Sequence, residues 1–540
     1  MTTKAKNSTA DFDVVLVGAG FAGVYLLYHL RKHGYKTRLI EAGHDLGGVW
    51  HWNCYPGARV DSIGAIYQFS DPELWQDWDF NEKFPSWVEL RKYFHHVDKK
   101  WRVRKDCQFD TRVNGAEFDE RQRVWKVHKD DGETITCRYF VPCLGFASKP
   151  VIPNFPGRDT FRGVAHHSAH WPQYGLDMDD KRIAIIGTGA SAVQILQEAS
   201  KTARQVTVFQ RTPNLTIPMR QKKLSKADNV QMKAHYPEIF ETRPRTFAGF
   251  EFDFHPRTWA ESSEEERKAT FQEIWEMGAF NWWLGNFNDV LSNPAANRAE
   301  YDYWRDQTRK RIKKPELIEL LAPTDPPHPF GVKRPCLEQH FYECFNQDNV
   351  ELVDVNKYPI DRIYDRGIFS GGKEREFDII VYATGFDAVS GGMTQIDIKG
   401  TDGRNLRQHW SKGITTHLGM AIPDFPNLLM SYGPQSPSGF CNGPTCAELQ
   451  GDWIIQFIED MDQKGVSRIE ADTEASANWA RTTIEIADQT LFPQGDSWYV
   501  GANIPGKTRE FLIYPGGVPT YLKAIRKEAE SGYPGFSQMT

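Results

Sequence analysis

The sequence predicts an α/β protein built from two Rossmann-like dinucleotide-binding domains, with a helical subdomain inserted. Three observations carry this reading. A strand, a glycine-rich turn, a helix and a second strand follow one another from about residue 11, and the same order recurs from about residue 182. A third observation is the change of character over 225–325, where helix-start signals replace the alternation of strand and helix.

The first unit opens with FDVVLV at 12–17, β-rich and mostly apolar as a buried parallel strand must be. Gly18, Gly20 and Gly23 then form Gly-x-Gly-x-x-Gly, a helix runs over about 21–33, Gly34 stops it, and TRLI at 37–40 is the next strand. Glycine allows the tight turn and lets a pyrophosphate approach the helix N-terminus, where unpaired N–H groups point outward. Glu41 ends the second strand. A carboxylate there accepts ribose hydroxyls and repels a 2′-phosphate, which suits FAD or NAD. The glycines alone are a weak signal; strand, helix and terminal acid in register make it a strong one.

The second unit has a strand at 182–186, a loop Gly187-Thr188-Gly189-Ala190-Ser191-Ala192, a helix to about 200 and a strand at 206–209. Here the second strand ends in Gln210-Arg211-Thr212. Arginine is a bidentate phosphate donor, so this site favours NADPH over a solvated surface role for Arg211. One site for each of two nucleotides implies hydride transfer between them.

Short strands over 111–138 are expected to cap the first domain, and DIIVYATGF at 378–386 is a further buried strand ending in a turn. Over 225–325, Ser262-Ser263-Glu264-Glu265-Glu266 is a hydroxyl cap followed by carboxylates on the positive end of a helix. A charged helix follows over 295–312, and another starts at Pro315. The segment 322–329 is proline-rich and extended. The expected layout is therefore interrupted: the FAD-binding domain over 1–145 and 381–540, the NADP-binding domain over 146–225 and 326–380, and the helical subdomain over 226–325.

Composition excludes several classes. Net charge is −6 and no region is strongly basic, against a nucleic-acid partner. No apolar run reaches the roughly 18 residues a membrane helix needs. Residues 1–12 are polar and lack the apolar stretch of a secretory signal, and read as a short disordered tail. The 8 cysteines form no CxxC pair and no Cys/His cluster of metal spacing. They fit free thiols in a cytoplasmic protein, and argue against flavoproteins whose chemistry needs a close cysteine pair.

Between the two units lies Phe161-x-Gly163-x-x-x-His167-x-x-x-Trp171-Pro172. On composition this is a His- and aromatic-rich structural hinge. Its pattern, however, resembles the signature of the type I Baeyer–Villiger monooxygenases. Residues 47–61, GGVWHWNCYPGARVD, match that family's second long motif; 378–386 resembles its Ala-Thr-Gly turn; and 497–507, SWYVGANIPGK, resembles its C-terminal loop. Pro142-Cys143-Leu144-Gly145 departs from a second Ala-Thr/Ser-Gly that the family often carries. The likeness covers nearly the whole chain.

The resemblance implies an enzyme that uses FAD, NADPH and O2 to convert ketones to esters or lactones through a C4a-peroxyflavin, with some sulfide oxidation. It implies that Arg334 is the active-site cation, paired with Asp61. A developing peroxide or tetrahedral anion in a dry site needs such a fixed charge. Without the family match, Arg334 is more simply a surface cation after a proline-rich loop, and Asp61 a turn residue. The resemblance further places Val49, Trp50, Asp61, Ser62, Tyr67, Val113 and Gly443 at the flavin. Arg59, Lys333 and Trp498 are placed with the NADP loop residues, Lys333 beside Arg211 at the 2′-phosphate. For Trp498 the commoner fate is core packing. Ser438, Gly439 and Phe440 match the loop that shapes the substrate pocket, where Gly439 adds freedom and Phe440 adds bulk. Two alternatives stand beside this reading: an N- or S-oxidising flavin monooxygenase, and a catalytically silent nucleotide-binding flavoprotein. The Trp171-Pro172 ending and Arg334 weigh against the first, the intact loops against the second. A monomer is expected.

Overall fold

The computed structural model describes residues 10–540. Residues 1–9 of the segment read as a disordered tail lie outside them.

A seven-stranded sheet forms the first layer, in the order Asp397–Lys399, Val113–Asp119, Val124–Lys129, Thr134–Pro142, Phe12–Val17, Thr37–Ile40, Cys107–Gln108. Phe12–Val17 lies between parallel neighbours, Leu16 opposite Leu39 and Val141. Val14, Val15 and Leu16 are fully buried, as the apolar run requires. The three strands over 113–142 form an antiparallel meander beside it. The helix Phe21–Lys32 packs on the long helix Gly443–Gln463 near the far end of the chain.

The second sheet is wholly parallel, in the order Val350–Asp354, Gln205–Gln210, Arg182–Ile186, Ile379–Tyr382, Val164–His167. Two sequence expectations change here. The segment 161–172 reads as a hinge, yet Val164–His167 is an edge strand paired with Ile379–Tyr382. The break expected at 380/381 falls inside the strand Ile379–Tyr382, which keeps the chain in the second sheet until Tyr382 pairs with Ile186 and His167. The chain regains the first sheet at Asp397, opposite Gly115. A three-stranded antiparallel ribbon over Ile360–Tyr364, Gly367–Ser370 and Lys373–Glu376 had no sequence assignment.

Over 226–325 the chain is helical. Ser263 caps Glu264–Met277 with a reciprocal Ser263–Glu266 capping box. The charged helix runs Pro294–Arg309, three residues shorter at its end than expected, with Asn293 as its cap. Its inner face buries Tyr301 and Trp304, the latter packed on Phe330 at 6.0 Å and Tyr342 at 6.4 Å between ring centroids. Trp304 donates its indole N–H to the Thr216 carbonyl at 2.7 Å, so the polar edge of a buried ring is satisfied. Pro315–Leu317 is a 3₁₀ turn leading into Ile318–Leu321.

No helix among the described residues is long and apolar enough to cross a membrane.

Candidate active site

The two glycine loops are built alike. Gly18 has φ +104°, and a Cβ there would stand 2.6 Å from the Cys143 carbonyl oxygen. Gly187 has φ +109°, and a Cβ would stand 2.4 Å from the Ala383 carbonyl oxygen. In each sheet the loop after a neighbouring parallel strand closes on the first glycine. Cys143 and Ala383 are thus equivalent positions, which explains why Pro142-Cys143-Leu144-Gly145 replaces an Ala-Thr-Gly sequence without harm: a backbone carbonyl makes the contact. Gly23 lies so close to Gly18 that a Cβ would fall 1.9 Å from its oxygen, whereas Ala192 occupies the corresponding place in the second loop. Gly189 faces open space.

Glu41 is buried, and its two carboxylate oxygens accept the backbone N–H groups of Ala19 and Gly43, each at 2.7 Å. The acid is thereby held in place at the glycine turn, and each oxygen keeps a lone pair for a ribose hydroxyl. Gly48 presses on Gly20, so the 47–61 motif closes over the same turn. From it, Val49 is exposed and Trp50 buried, and Trp50 Nε1 donates to Tyr67 Oη at 3.1 Å. Ser62 Oγ accepts from Asn442 Nδ2 at 2.9 Å, tying this segment to Gly443, the first residue of the long helix. Val113 is buried at the start of its strand. These groups fit FAD: a glycine-lined turn at a helix N-terminus, with a carboxylate set for the ribose.

At the second loop, Thr188 Oγ1 donates to the Thr212 carbonyl at 2.8 Å, and Asn356 Nδ2 donates to the Arg211 carbonyl at 2.6 Å. Ala190 and Ser191 open the helix Ala190–Ala199. The Arg211 guanidinium is exposed, and neither it nor the Lys333 amine has a hydrogen-bond or ion-pair partner among the described residues. Burial, and after it the Arg211 cation, hold the Lys333 amine below the usual lysine range, with Asp496 opposing. Two neighbouring cations with no directly paired carboxylate among the described residues fit a 2′-phosphate. Arg59 is differently engaged: its guanidinium pairs with Glu82 at 2.8 Å and donates to the Phe84 carbonyl.

Arg334 and Asp61 meet. Arg334 Nε donates to Asp61 Oδ2 at 2.8 Å, Nη1 donates to the Gly439 carbonyl at 2.8 Å, and the guanidinium lies 4.8 Å over the Phe280 ring. Burial disfavours this cation, but Asp61 outweighs it and holds the guanidinium charged above its usual range. The remaining guanidinium N–H groups have no acceptor among the described residues. The structure therefore presents a fixed, half-buried cation with donors to spare.

Gly439 connects that cation to the loop Ser438–Phe440, all of it buried. Phe440 is walled by Phe492 at 4.9 Å, Tyr499 at 5.1 Å, Phe247 at 6.1 Å and Trp283 at 6.2 Å between ring centroids. Gly439 is packed too tightly for a side chain, since a Cβ would stand 2.6 Å from Ile513 Cδ1. Trp498 stacks on Phe146 at 5.2 Å and 8° between planes, and Phe146 stacks in turn on Tyr432. Phe146 and Phe280 had no part in the sequence reading. A lone aromatic in a linker or a helical region carries no signal of its own, because core packing explains most of them.

In the edge-strand segment, Gly163 has no room for a Cβ, which would meet Phe161 Cζ at 2.5 Å, and Trp171 is buried. His167 accepts the Ala169 N–H at Nδ1 (3.0 Å), leaving Nε2–H to donate to the Gly385 carbonyl (3.1 Å). Both bonds require the neutral ring, and burial pushes its pKa down to about 4. All 8 cysteines are free, and no group of three or more metal-ligating side chains occurs among the described residues.

With this geometry in hand, similarity to known proteins adds weight. Residues 12–236 match the family described as pyridine nucleotide-disulphide oxidoreductase. That stretch covers both glycine loops but brings no close cysteine pair. The chain is 52% identical over 541 residues to cyclopentanone 1,2-monooxygenase of Comamonas sp. (strain NCIMB 9872), covering 99% of this chain and 98% of that protein. It is 37% identical to a Baeyer–Villiger monooxygenase of Pseudooceanicola batsensis, over 98% of this chain and 97% of that one. Among solved structures, cyclohexanone monooxygenase from Rhodococcus sp. Phi1 bound to NADP+ superposes with a TM-score of 0.94 at 34% identity, over 98% of this chain and 99% of that one. OTEMO in complex with FAD and NADP superposes with a TM-score of 0.94 at 35% identity, over 98% of this chain and 100% of that one.

Proposed function

This chain belongs to the type I Baeyer–Villiger monooxygenases, FAD- and NADPH-dependent enzymes that convert ketones to esters or lactones, and we propose that its own substrates are small cyclic ketones of about five ring carbons, oxidised with O2. The observation that carries the proposal is the loop Ser438–Phe440. Phe440 is 1% exposed and ringed by aromatic side chains, and its neighbour Gly439 holds the Arg334 guanidinium by its carbonyl. A bulky ring at this place in the loop, next to the residue that holds the cation, favours a small saturated ring over a larger ketone. A relative 52% identical is named for cyclopentanone, which supports the same class.

Bound FAD supplies the oxygen-transfer chemistry, with NADPH as its reductant. The chain's own residues bind, orient and exclude water. Arg334, held by Asp61, Gly439 and Phe280, offers its unspent N–H groups to negative charge that develops on oxygen during ketone oxidation. Arg211 and Lys333 would hold the 2′-phosphate of NADPH and Glu41 the ribose of FAD, with the 497–507 loop and Trp498 on the nicotinamide side. Free thiols, seven of the 8 buried, suit a reducing compartment, so we place the enzyme in the cytoplasm.

The test is a ketone panel with purified enzyme, reading lactone formed against NADPH consumed for cyclopentanone, cyclohexanone and an aryl ketone. A kcat/KM highest for the aryl ketone would overturn the small-ring assignment.

A further inference from the structure

Phe280 belongs to the helical insertion, far in sequence from Arg334, and nothing in its local sequence marks it. Its placement is costly. Gly278 and Ala279, immediately before it, have φ of 66° and 50°, so two consecutive residues sit in the left-handed region, one of them with a side chain. Such strain persists only where surrounding contacts over-determine it. Ala279 N donates to the Pro218 carbonyl at 2.8 Å, and a Cβ on Gly278 would stand 2.6 Å from the same oxygen, so the turn is clamped against a strand that leaves the nucleotide domain. The ring itself is 1% exposed. Phe250 and Trp283 meet it edge-on, at 5.8 Å with 73° and 5.3 Å with 74° between planes. The Arg334 guanidinium lies over the ring, 4.8 Å from its centroid.

We propose that Phe280 is a positioning residue for ketone oxygenation: its ring face fixes the plane of the Arg334 guanidinium and keeps that side of the cation dry. The hydrogen bonds to Asp61 and Gly439 define an edge of the guanidinium but leave it free to tilt about that edge. The ring removes this freedom, and its negative face stabilises the charge without consuming a donor. A carboxylate in its place would draw donors away from the reacting oxygen. The helical insertion thereby completes a site otherwise built by the two nucleotide-binding domains. This inference rests on Arg334 as the active-site cation.

The experiment replaces Phe280 by mono-, di- and trifluorinated phenylalanine in the FAD-loaded enzyme. Fluorine withdraws charge from the ring face and scarcely changes its shape, so a purely structural ring would not respond. Lactone formation is expected to fall stepwise, by about tenfold across the series, with NADPH affinity and flavin content unchanged. NADPH consumed per lactone should rise as the cation loses its fixed orientation. Phe280→Tyr should stay within about twofold of the parent, since it keeps the ring face. A flat fluorination series, or Phe280→Leu at full rate, overturns the proposal. If Phe280→Leu fails to fold, the fluorinated series decides alone. Should Arg334→Ala retain lactone formation, the fault lies instead with the role given to Arg334.

Discussion

Asp61 and Arg334 lie 273 residues apart in the chain and are joined by a 2.8 Å charge-assisted hydrogen bond. Asp61 comes from the motif that closes on the first glycine turn, and Arg334 from the loop that also carries Lys333. The pair therefore joins the segment that closes on the first glycine turn to the loop that carries Lys333. Because Nε alone serves Asp61, the carboxylate holds the cation without using up its donors.

Arg334→Ala should abolish lactone formation, by about 100-fold or more, while FAD and NADPH still bind. Asp61→Ala, which leaves the half-buried cation without its carboxylate, should lose activity nearly as far and also lower the unfolding midpoint. Product yield, cofactor titration and thermal melts separate these outcomes. Equal loss of cofactor binding in Arg334→Ala would point to a structural residue.

Arg211→Ala and Lys333→Ala should each raise KM for NADPH about tenfold, with kcat and NADH kinetics little changed, because the lost contact is to the 2′-phosphate alone. The depressed Lys333 amine adds a pH dependence. Its cation is lost as pH rises through a value below the ordinary lysine range, so preference for NADPH over NADH should fade with alkaline pH earlier than a solvent-exposed lysine would dictate. In Lys333→Arg this fading should disappear.

Burial pushes the imidazoles of His29, His51, His167 and His328 down to about 4. A base whose folded pKa is depressed takes up its proton more readily in the unfolded chain. Stability is then fully present above the unfolded value near 6.5 and declines as pH falls toward about 4. The melting temperature should drop steeply across that window. His167→Gln should flatten the drop by roughly one proton's worth; an unchanged slope would mean that His167 is not neutral in the fold.

Phe440→Ala should admit bulkier ketones and raise KM for small rings. It should also cost about 3–5 kcal/mol of stability, as truncating a fully buried aromatic does. Denaturant unfolding beside the ketone panel checks both. A variant of unchanged specificity would remove Phe440 from the pocket wall.

Local patterns by themselves determined the nucleotide-binding framework. The strands at 12–17 and 37–40, the helix between them, the second unit from 182, and the Ser263 cap are all set by neighbours in sequence: apolar runs, glycine spacing, a hydroxyl three residues before a carboxylate. The contrast between Glu41 and Arg211 is equally local, since one residue at a strand end chooses which ribose substituent is tolerated. Tertiary structure alone decided the rest. The segment 161–172 turned from hinge to edge strand because its partner, Ile379–Tyr382, is remote in the chain. Arg334 became a half-buried, oriented cation only through Asp61, Gly439 and Phe280, three contacts brought by segments distant from it and from one another. Charge and spacing in a sequence state which groups are present; only packing determines which face one another, how much water reaches them, and therefore what their charges do.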